Sequence, residues 1–491
     1  MGAALGHAIV AAAPRSRCWQ LEREPAMSGS SATMAEAPPA APPPAPPPAA
    51  PALPRLLAGI PASGTMTLEE HLALHGPLPL VRDGRRRRAR EHAATLIDEI
   101  ERSGLLGRGG AAFPTATKMR AVAGGRGRAI VVANAAEGEP ASLKDRTLLE
   151  ALPHLVLDGG VAAAEAVGAD ELIVCVCESA GASIESIAHA IEERGPGSSS
   201  PAHSPRLQLT TVPSHYVAGQ ESALVNYLGG GPAKPTFTPP MPFEQGLRRR
   251  PTLVNNVETL AHIALIARHG ARWFRQLGTS AQPGSALVTL SGPVAHPGVY
   301  EIEHGASLSS LIDAGGGSTA RVRGALLGGY AGAWIGGERL NGVALSKEHL
   351  APHGATLGAG VVLLLSTEAC PVAETARVAR WLSGQSARQC GPCVHGLDAM
   401  ATTIEAIAAG SSQPTAIRRI ERLASLVARR GACRHPDGAA NLILSALETF
   451  EAEFADHARH GPCENCSRPP ELPLPARPVS DETRRMVQSR P

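Results

Sequence analysis

The sequence predicts an α/β chain in three parts: a mainly parallel, three-layer sheet domain, a small β-rich unit and a helical bundle. Three observations predict it. Apolar strand-like runs alternate with helix-length segments from about residue 130 to 275. Short strands separated by Pro/Gly turns follow from Ser285. Beyond about residue 366, apolar residues recur at helical spacing, as in Ile417, Ile420, Ala424 and Val427. A chain of 491 residues also exceeds what one core ordinarily accommodates.

Taken in order, residues 1–56 contain A-P-P-A-A-P-P-P-A-P-P-P-A-A-P-A-L-P, which buries too little apolar surface to offset ordering and is expected to be a disordered or polyproline extension. Ala8–Ala13 lacks a basic n-region, so a secretory signal is not expected. Arg85–Arg88 reads as the solvated start of a helix over Glu91–Ile100. Within a domain spanning 57–275, Leu148–Val167 reads as a helix, Glu171–Cys177 as a strand, Ser183–Arg194 as a helix and Leu207–Val212 as a strand. Gly219, Gln220 and Glu221 then open a helix running to Leu228, whose N-terminus favours an anion. Residues 229–251 form a long Gly/Pro-rich loop of the kind kept for binding, and Val254–Thr259 closes the domain. The unit over 280–360 has two strands from Ser285, a helix over Leu308–Ala314 and a strand and turn over Gly324–Trp334. Residues 366–462 read as four helices: Ala373–Leu382, Leu397–Ala408, the Ile417 face, and a face formed by Ile443, Leu447, Phe450 and Phe454. A tail covers 463–491.

Formal net charge is +2 and the arginines are scattered, which argues against nucleic acid. No apolar stretch approaches the ~20 residues that span a bilayer, so a soluble, cytoplasmic chain is expected. Nine cysteines without a small-scaffold pattern indicate burial or metal ligation in a reducing compartment. Cys175 and Cys177 share one face of an expected buried strand, where packing is their role. Cys18 and Cys370 have no partner that spacing identifies.

One stretch is written around a ligand. Gly104–Lys118 reads G-L-L-G-R-G-G-A-A-F-P-T-A-T-K, and Ile130–Arg146 reads I-V-V-A-N-A-A-E-G-E-P-A-S-L-K-D-R. Gly107, Gly109 and Gly110 allow backbone N–H groups to converge on an anion, with the cations Arg108 and Lys118 beside them. Ala129–Val132 then delivers Asn134, Glu137 and Glu139 to a strand end, where ligands sit in open α/β sheets. Only four lysines occur in the chain, and Lys118 and Lys144 fall inside these two motifs. Asn255 and Asn256 suit either the edge of a polar ring or a phosphate, or helix capping.

These motifs resemble G-R-G-G-A-G-F-P-T-G-x-K and N-A-D-E-x-E-P-G-T-x-K-D-R of the flavin-binding, NADH-oxidising subunit of respiratory complex I and its counterparts in NAD-linked hydrogenases and formate dehydrogenases. Tyr216–Leu224 is similar to that family's Y-x-x-G-E-E-T-A-L, and Pro251–Thr259 to its P-T-x-V-N-N-V-E-T. The resemblance covers roughly residues 60 to 460. It implies a Rossmann-like three-layer flavin and nucleotide domain, a β-grasp module of the soluble-ligand-binding type, and a helical iron–sulfur domain. It further implies FMN held by Gly107, Arg108, Gly109, Gly110, Phe113 and Lys118 of the first motif and Asn134 and Glu137 of the second. Tyr216, Gly219 and Gln220, with Val254, Asn255, Asn256 and Thr259, complete that expected set, and Glu139 and Glu221 are the expected acidic groups at the nicotinamide.

The helical part carries S-A-R-Q-C-G-P-C-V-H-G and, later, G-A-C-R-H-P-D. The family pattern S-C-G-x-C-T-P-C-R-x-G plus a distant cysteine ligates a 4Fe-4S cluster. Cys390, Cys393 and Cys433 align with three of its ligands and Ala387 with the fourth. Cys463 and Cys466 are the candidates to replace the lost sulfur. Zinc is the alternative, drawing on His395, His435, Cys463 and Cys466.

The function implied is electron transfer from a reduced nicotinamide through FMN to an iron–sulfur centre, a ferredoxin-like or iron–sulfur partner subunit, and a quinone- or ferredoxin-linked acceptor. A membrane-bound redox complex reached through partners is one such setting. The alternative is a flavin-binding homologue with lost NADH activity. The donor is NAD(H) or NADP(H), or a reduced ferredoxin. The family's N-A-D-E and G-E-E read here N-A-A-E and G-Q-E, and its adenine clamp K-P-P-F-P reads Thr238-Pro239-Pro240-Met241-Pro242.

Overall fold

A computed structural model describes residues 53–79, 86–195, 205–413 and 415–475. Most of the proline-rich stretch, Cys18, Arg85 and the tail beyond residue 475 lie outside the described residues. Residues 53–56, expected to belong to a disordered extension, are instead packed. Leu56 is fully buried, and the N–H groups of Arg55, Leu56 and Leu57 all donate to the Glu301 carboxylate at 2.7, 2.8 and 3.2 Å.

The first sheet has four parallel strands, β1 (Ala129–Ala135), β2 (Ala169–Cys177), β3 (Arg206–Val212) and β4 (Thr252–Asn256), in the order β3-β2-β1-β4. β1 is an apolar run because both its faces are covered. Val131 and Ala133 enter the core shared with the helices Pro153–Val167 and Val257–Phe274, while Ile130 and Val132 meet Cys175, Leu224 and Leu247 on the other face. Among the described residues, that second face meets the short helix Glu221–Leu228, the loop that follows it and Ala180. Cys175 and Cys177 are buried packing residues. The chain winds from β1 outward to β3 and then returns to the opposite side of β1, so the C-terminal ends of β1 and β4 flank a topological switch point.

The helix expected over Leu148–Val167 is two, Lys144–Ala151 and Pro153–Val167. Pro153 has no N–H to continue the first and sits at the start of the second, where none is needed.

The second sheet contains β5 (Ser285–Ser291), β6 (Gly298–Glu303), β7 (Val322–Leu327), β8 (Ala333–Gly336) and β9 (Val361–Ser366), ordered β6-β5-β9-β7-β8. It is mixed, with β5 and β9 parallel and the other pairs antiparallel. The central strand β9 lies beyond residue 360, the end expected for this unit. Leu326, Trp334, Val361, Leu363 and Leu365 face the C-terminal helices, and the opposite face holds its own core around Leu308 and Leu311.

The helical region has five α-helices among the described residues, Pro371–Gly384, Leu397–Ala408, Ala416–Val427, His435–Thr449 and Glu451–His460, one more than expected. The apolar face of Ile443, Leu447, Phe450 and Phe454 is continuous, but the backbone breaks at Phe450 (φ −117°, ψ 36°). Periodicity reports a shared face, and a kink preserves that face while ending the helix. No helix among the described residues is long and apolar enough to cross a membrane.

Candidate functional site

The glycine loop closes on itself before the helix Thr115–Ala123. Gly107 N–H donates to Phe113 O at 2.9 Å, and Leu106 and Pro114 bridge. Residues 109–114 are therefore held out toward solvent beside the ends of β1 and β4. Gly110 has φ +98°, and a Cβ on Gly109 would stand 3.4 Å from Asn256 Cβ, so a larger side chain there would occupy the approach to β4. Phe113 stays 41 % exposed, stacked on Phe243 with Lys118 Nζ 6.0 Å from its ring.

The motifs meet at the switch point. Asn134 Nδ2 donates to Gly219 O at 2.8 Å, and a Cβ on Gly219 would lie 2.4 Å from Ala136 O, so only glycine permits this approach. Lys118 Nζ bonds Glu221 Oε2 at 2.9 Å and Val254 O at 3.0 Å, tying three elements together. Gln220 caps the helix Glu221–Leu228 by accepting from Ala223 N at 2.9 Å. Three buried polar atoms here, Asn255 Nδ2, Glu221 Oε1 and Thr115 Oγ1, have no partner among the described residues. Such atoms are costly unless something satisfies them.

The two asparagines divide. Asn256 caps the helix Val257–Phe274 and bonds Asp145 and Lys144, whereas Asn255 keeps its amide free. Arg108 also turns inward. Its backbone N–H donates to Thr259 Oγ1 and its guanidinium to Ser285 O, with Glu258 at 3.8 Å, so its charge lies behind the cradle and not in it. There it joins Lys144, which contacts Asp145 at 2.6 Å and Glu258 at 3.0 Å. Burial opposes charge on Lys144, but Asp145, Glu258 and Glu137 outweigh it and raise its pKa. Glu137 anchors the start of the following helix by accepting from Ser142 Oγ and the N–H groups of Asp145 and Arg146.

Glu139 is buried where the two sheets meet. It accepts from Tyr330 N at 2.8 Å, Ala141 N at 3.3 Å and Tyr216 Oη at 3.3 Å, and burial pushes its pKa up to about 7. Tyr216 packs in turn on Trp381 and His435, with ring centroids 5.4 Å away in each case. Sequence reasoning missed Tyr330 and Glu258, because only the fold brings the second sheet and a helix interior onto these motifs.

Cys390, Cys393 and Cys433 gather at the turn Pro392–Gly396 and the start of His435–Thr449. Burial pushes the Cys393 thiol up to about 12, with Cys390 and Cys433 adding to it. Ala387 is buried beside them in the chain and offers no donor. Cys463 and Cys466 do not complete this set. Gly461 (φ +86°) turns the chain back, so both reach Cys370 and His457 instead. His435 gives Nε2 to Leu382 O at 2.9 Å, and the group of converging ligand atoms among the described residues includes neither it nor His395, so neither joins them as the zinc alternative expected.

A phosphate-type cradle at a sheet switch point, with half-buried aromatics between it and a trio of thiols, marks an electron-transfer oxidoreductase component with flavin and iron–sulfur regions. Similarity to known proteins agrees. The family model for the Nuo51 FMN-binding domain matches residues 100–265, that for the NADH-ubiquinone oxidoreductase-F iron-sulfur binding region matches 373–457, and an SLBB domain matches 287–329. The F 2 subunit of the NADH-quinone oxidoreductase of Rhizobium meliloti (strain 1021) is 32 % identical over 377 residues, covering 75 % of this chain and 90 % of the relative. The HndC subunit of the NADP-reducing hydrogenase of Solidesulfovibrio fructosivorans is 29 % identical, covering 75 % and 77 %. The crystal structure of an NAD+-reducing nickel–iron hydrogenase in the H2-reduced state matches with a TM-score of 0.70 at 30 % identity, covering 76 % of this chain and 64 % of that one. This chain thus spans just under two thirds of that chain's length. The chain belongs to the family of F-type subunits of NADH-quinone oxidoreductase.

The residues fit the groups this family implies. Unpartnered Asn255 Nδ2 and Thr115 Oγ1 and the open Gly109–Gly110 approach suit a flavin phosphate and ring edge. Three thiols fit three corners of an iron–sulfur cluster, and Ala387 leaves the fourth without a thiolate from the aligned position.

Proposed function

We propose that this chain is the flavin-bearing subunit of an NAD(P)H-linked electron-transfer complex, delivering electrons to a separate ferredoxin-like or iron–sulfur subunit. The observation that carries the reading is the cluster of buried, unsatisfied polar atoms around the glycine cradle at the switch point. FMN bound there supplies a centre that accepts a hydride and releases its electrons singly. In this reading Gly109 and Gly110 leave the phosphate approach open, Asn255 donates its free amide, and Lys118 contributes positive charge from its place between Glu221 and Val254 O. Glu221, whose Oε1 is unpartnered, and Glu139 are the acidic groups this reading assigns to the nicotinamide. Cys390, Cys393 and Cys433 hold three corners of a 4Fe-4S cluster, the fourth being left to a non-thiolate ligand. Tyr216, packed on Trp381 and His435 and bonded to Glu139, supports an aromatic link between the two sites in this reading.

The donor side departs from the family pattern. Ala136 and Gln220 stand where carboxylates are expected, and Met241 where an aromatic ring is. These changes support weak use of NADH, with NADPH or a reduced ferredoxin as the effective donor. A flavin-binding homologue without nicotinamide turnover is the second reading, favoured by the same three positions. Stopped-flow reduction of the flavin by NADH, NADPH and a reduced ferredoxin separates them. NADPH or ferredoxin bleaching the flavin faster than NADH is expected. Rapid bleaching by micromolar NADH would overturn the altered preference, and protein purified from a flavin-replete host without flavin would overturn the whole reading.

A further inference from the structure

Four donor atoms outside the thiol trio converge on one point. Cys370 Sγ, His457 Nε2, Cys463 Sγ and Cys466 Sγ all lie within 4.8 Å of one another. Cys463 and Cys466 are 3.8 Å apart, Cys466 and Cys370 3.5 Å, Cys370 and His457 3.5 Å, and Cys466 and His457 3.9 Å. A tetrahedral zinc ion, with Zn–S about 2.3 Å and Zn–N about 2.0–2.1 Å, sets sulfur atoms about 3.8 Å apart and a sulfur about 3.6 Å from a nitrogen. These four edges match that tetrahedron to within about 0.3 Å, and the two edges from Cys463 to Cys370 and His457 stay under 4.8 Å. They leave room at the centre for one ion and none for a multi-iron core. The sulfurs are also far from the ~2.05 Å of a disulfide, and all three cysteines are free.

The elements explain the convergence. Cys370 is the N-cap of the helix Pro371–Gly384, where the N–H of Ala373 donates to its sulfur. His457 projects inward from the last turn of Glu451–His460 and is 2 % exposed. Gly461 then reverses the chain, and one tight turn sets Cys463 and Cys466 side by side, with Cys466 N–H donating to Cys463 O at 3.1 Å. Three thiolates and one imidazole with every position filled by protein is the donor set of a structural zinc site.

We propose that Cys370, His457, Cys463 and Cys466 bind a structural zinc ion that clasps the C-terminal segment to the helical region. The segment it anchors is packed onward. Ser366 N–H donates to Glu471 at 2.9 Å, Glu471 N–H to Glu374 at 2.7 Å, and Leu472 is 2 % exposed. Pro473 O then accepts from Tyr330 Oη at 2.6 Å, and Tyr330 N–H is the donor to Glu139. The ion therefore holds the first link of a chain of contacts that ends beside Glu139.

Elemental analysis of the full chain tests this. A single zinc ion per chain is expected, retained in Cys390→Ser, which loses iron, and lost in Cys463→Ser and His457→Ala, which keep it. Cobalt-grown protein should show the charge-transfer and tetrahedral d–d bands of a Co(II)–thiolate site, absent in Cys463→Ser. Hydrogen exchange of residues 463–475 should rise on zinc loss. Wild-type protein free of zinc, with these thiols open to alkylation, overturns the proposal whether or not the variants fold. So does iron in this site, or zinc that disappears with Cys390→Ser.

Discussion

Gly159→Ala places the sheet domain under a test whose sign is decided by competing magnitudes. Gly159 lies inside the helix Pro153–Val167, where alanine is ordinarily about 1 kcal/mol better than glycine. A Cβ there, however, would stand 1.8 Å from Leu260 O in the crossing helix Val257–Phe274, against the 3.0 Å below which such contacts are essentially never seen. The obstacle is backbone, so the helices must part by about 1 Å, and a gap of that size forfeits a quarter to a half of each dispersion contact. Overpacking of this kind costs about 1–3 kcal/mol, at the upper end where backbone has to move. Subtracting the helix gain leaves a net destabilisation of about 2 kcal/mol. Two neighbours calibrate it. Gly160→Ala meets only the tip of Leu172 at 2.5 Å and should lose less, and Gly181→Ala meets nothing and should be neutral or stabilising. Urea unfolding of the flavin-free protein reads the difference as a shift in midpoint at constant slope. Because Val257–Phe274 starts directly after Asn255 and Asn256, Gly159→Ala should weaken flavin retention too. A Gly159→Ala protein as stable as wild type would show that the helices do not cross this closely.

Glu139 has a folded pKa of about 7 against an ordinary 4.5, so the native state holds its proton more tightly and stability falls as pH rises from about 4.5 to about 7. The contribution is at most about 3 kcal/mol, and Glu139→Gln should remove it, so identical pH profiles for both proteins would contradict the placement. Gly109→Val fills the approach beside Asn256 and is expected to abolish flavin binding, with folding by circular dichroism unchanged; a flavin-replete variant would refute the cradle. Phe237 is 83 % exposed just ahead of Met241, where an adenine could stack on it. Phe237→Ala should weaken a nicotinamide dinucleotide about tenfold in a titration of flavin quenching, and an unchanged affinity would remove it from the site.

Much of this was legible in the sequence, and the reasons are local. β1 and β2 announce themselves because a strand covered on both faces must be apolar throughout, and the glycine loop because positive φ and close approach select residue type directly. Pro153 marks a helix boundary through its missing N–H, which apolar periodicity alone passes over. What the sequence withheld is tertiary. Nothing in the spacing of Cys370 and His457, separated by 86 intervening residues, indicates that a turn at Gly461 brings Cys463 and Cys466 to them. Arg108 reads as a ligand cation until the fold supplies Glu258 and Ser285 O behind it. Asn255 and Asn256 look alike as neighbours, and only the start of the next helix assigns capping to one and leaves the other amide free.

The departures from the family motifs are selective in a way that bears on the donor. Gly219 is present where a Cβ would strike Ala136 O, so the steric demand of the crevice is met. Gln220 replaces a carboxylate, yet its amide oxygen caps the helix by accepting from Ala223 N and Ser222 Oγ, the work a carboxylate oxygen would do there without the charge. Ala136 packs against Ile130, Val132 and Leu224, so the loss of its carboxylate is absorbed by the apolar core. Folding roles are thus retained while negative charge is withdrawn from the same strand and helix ends. Decay of a site would relax packing and charge together. Withdrawing charge alone lowers the repulsion felt by an anionic ligand, an effect strongest where burial keeps the local dielectric low. On the proposed reading, a dinucleotide carrying an additional phosphate should gain more from that change than NADH does, which is the preference the donor experiment measures.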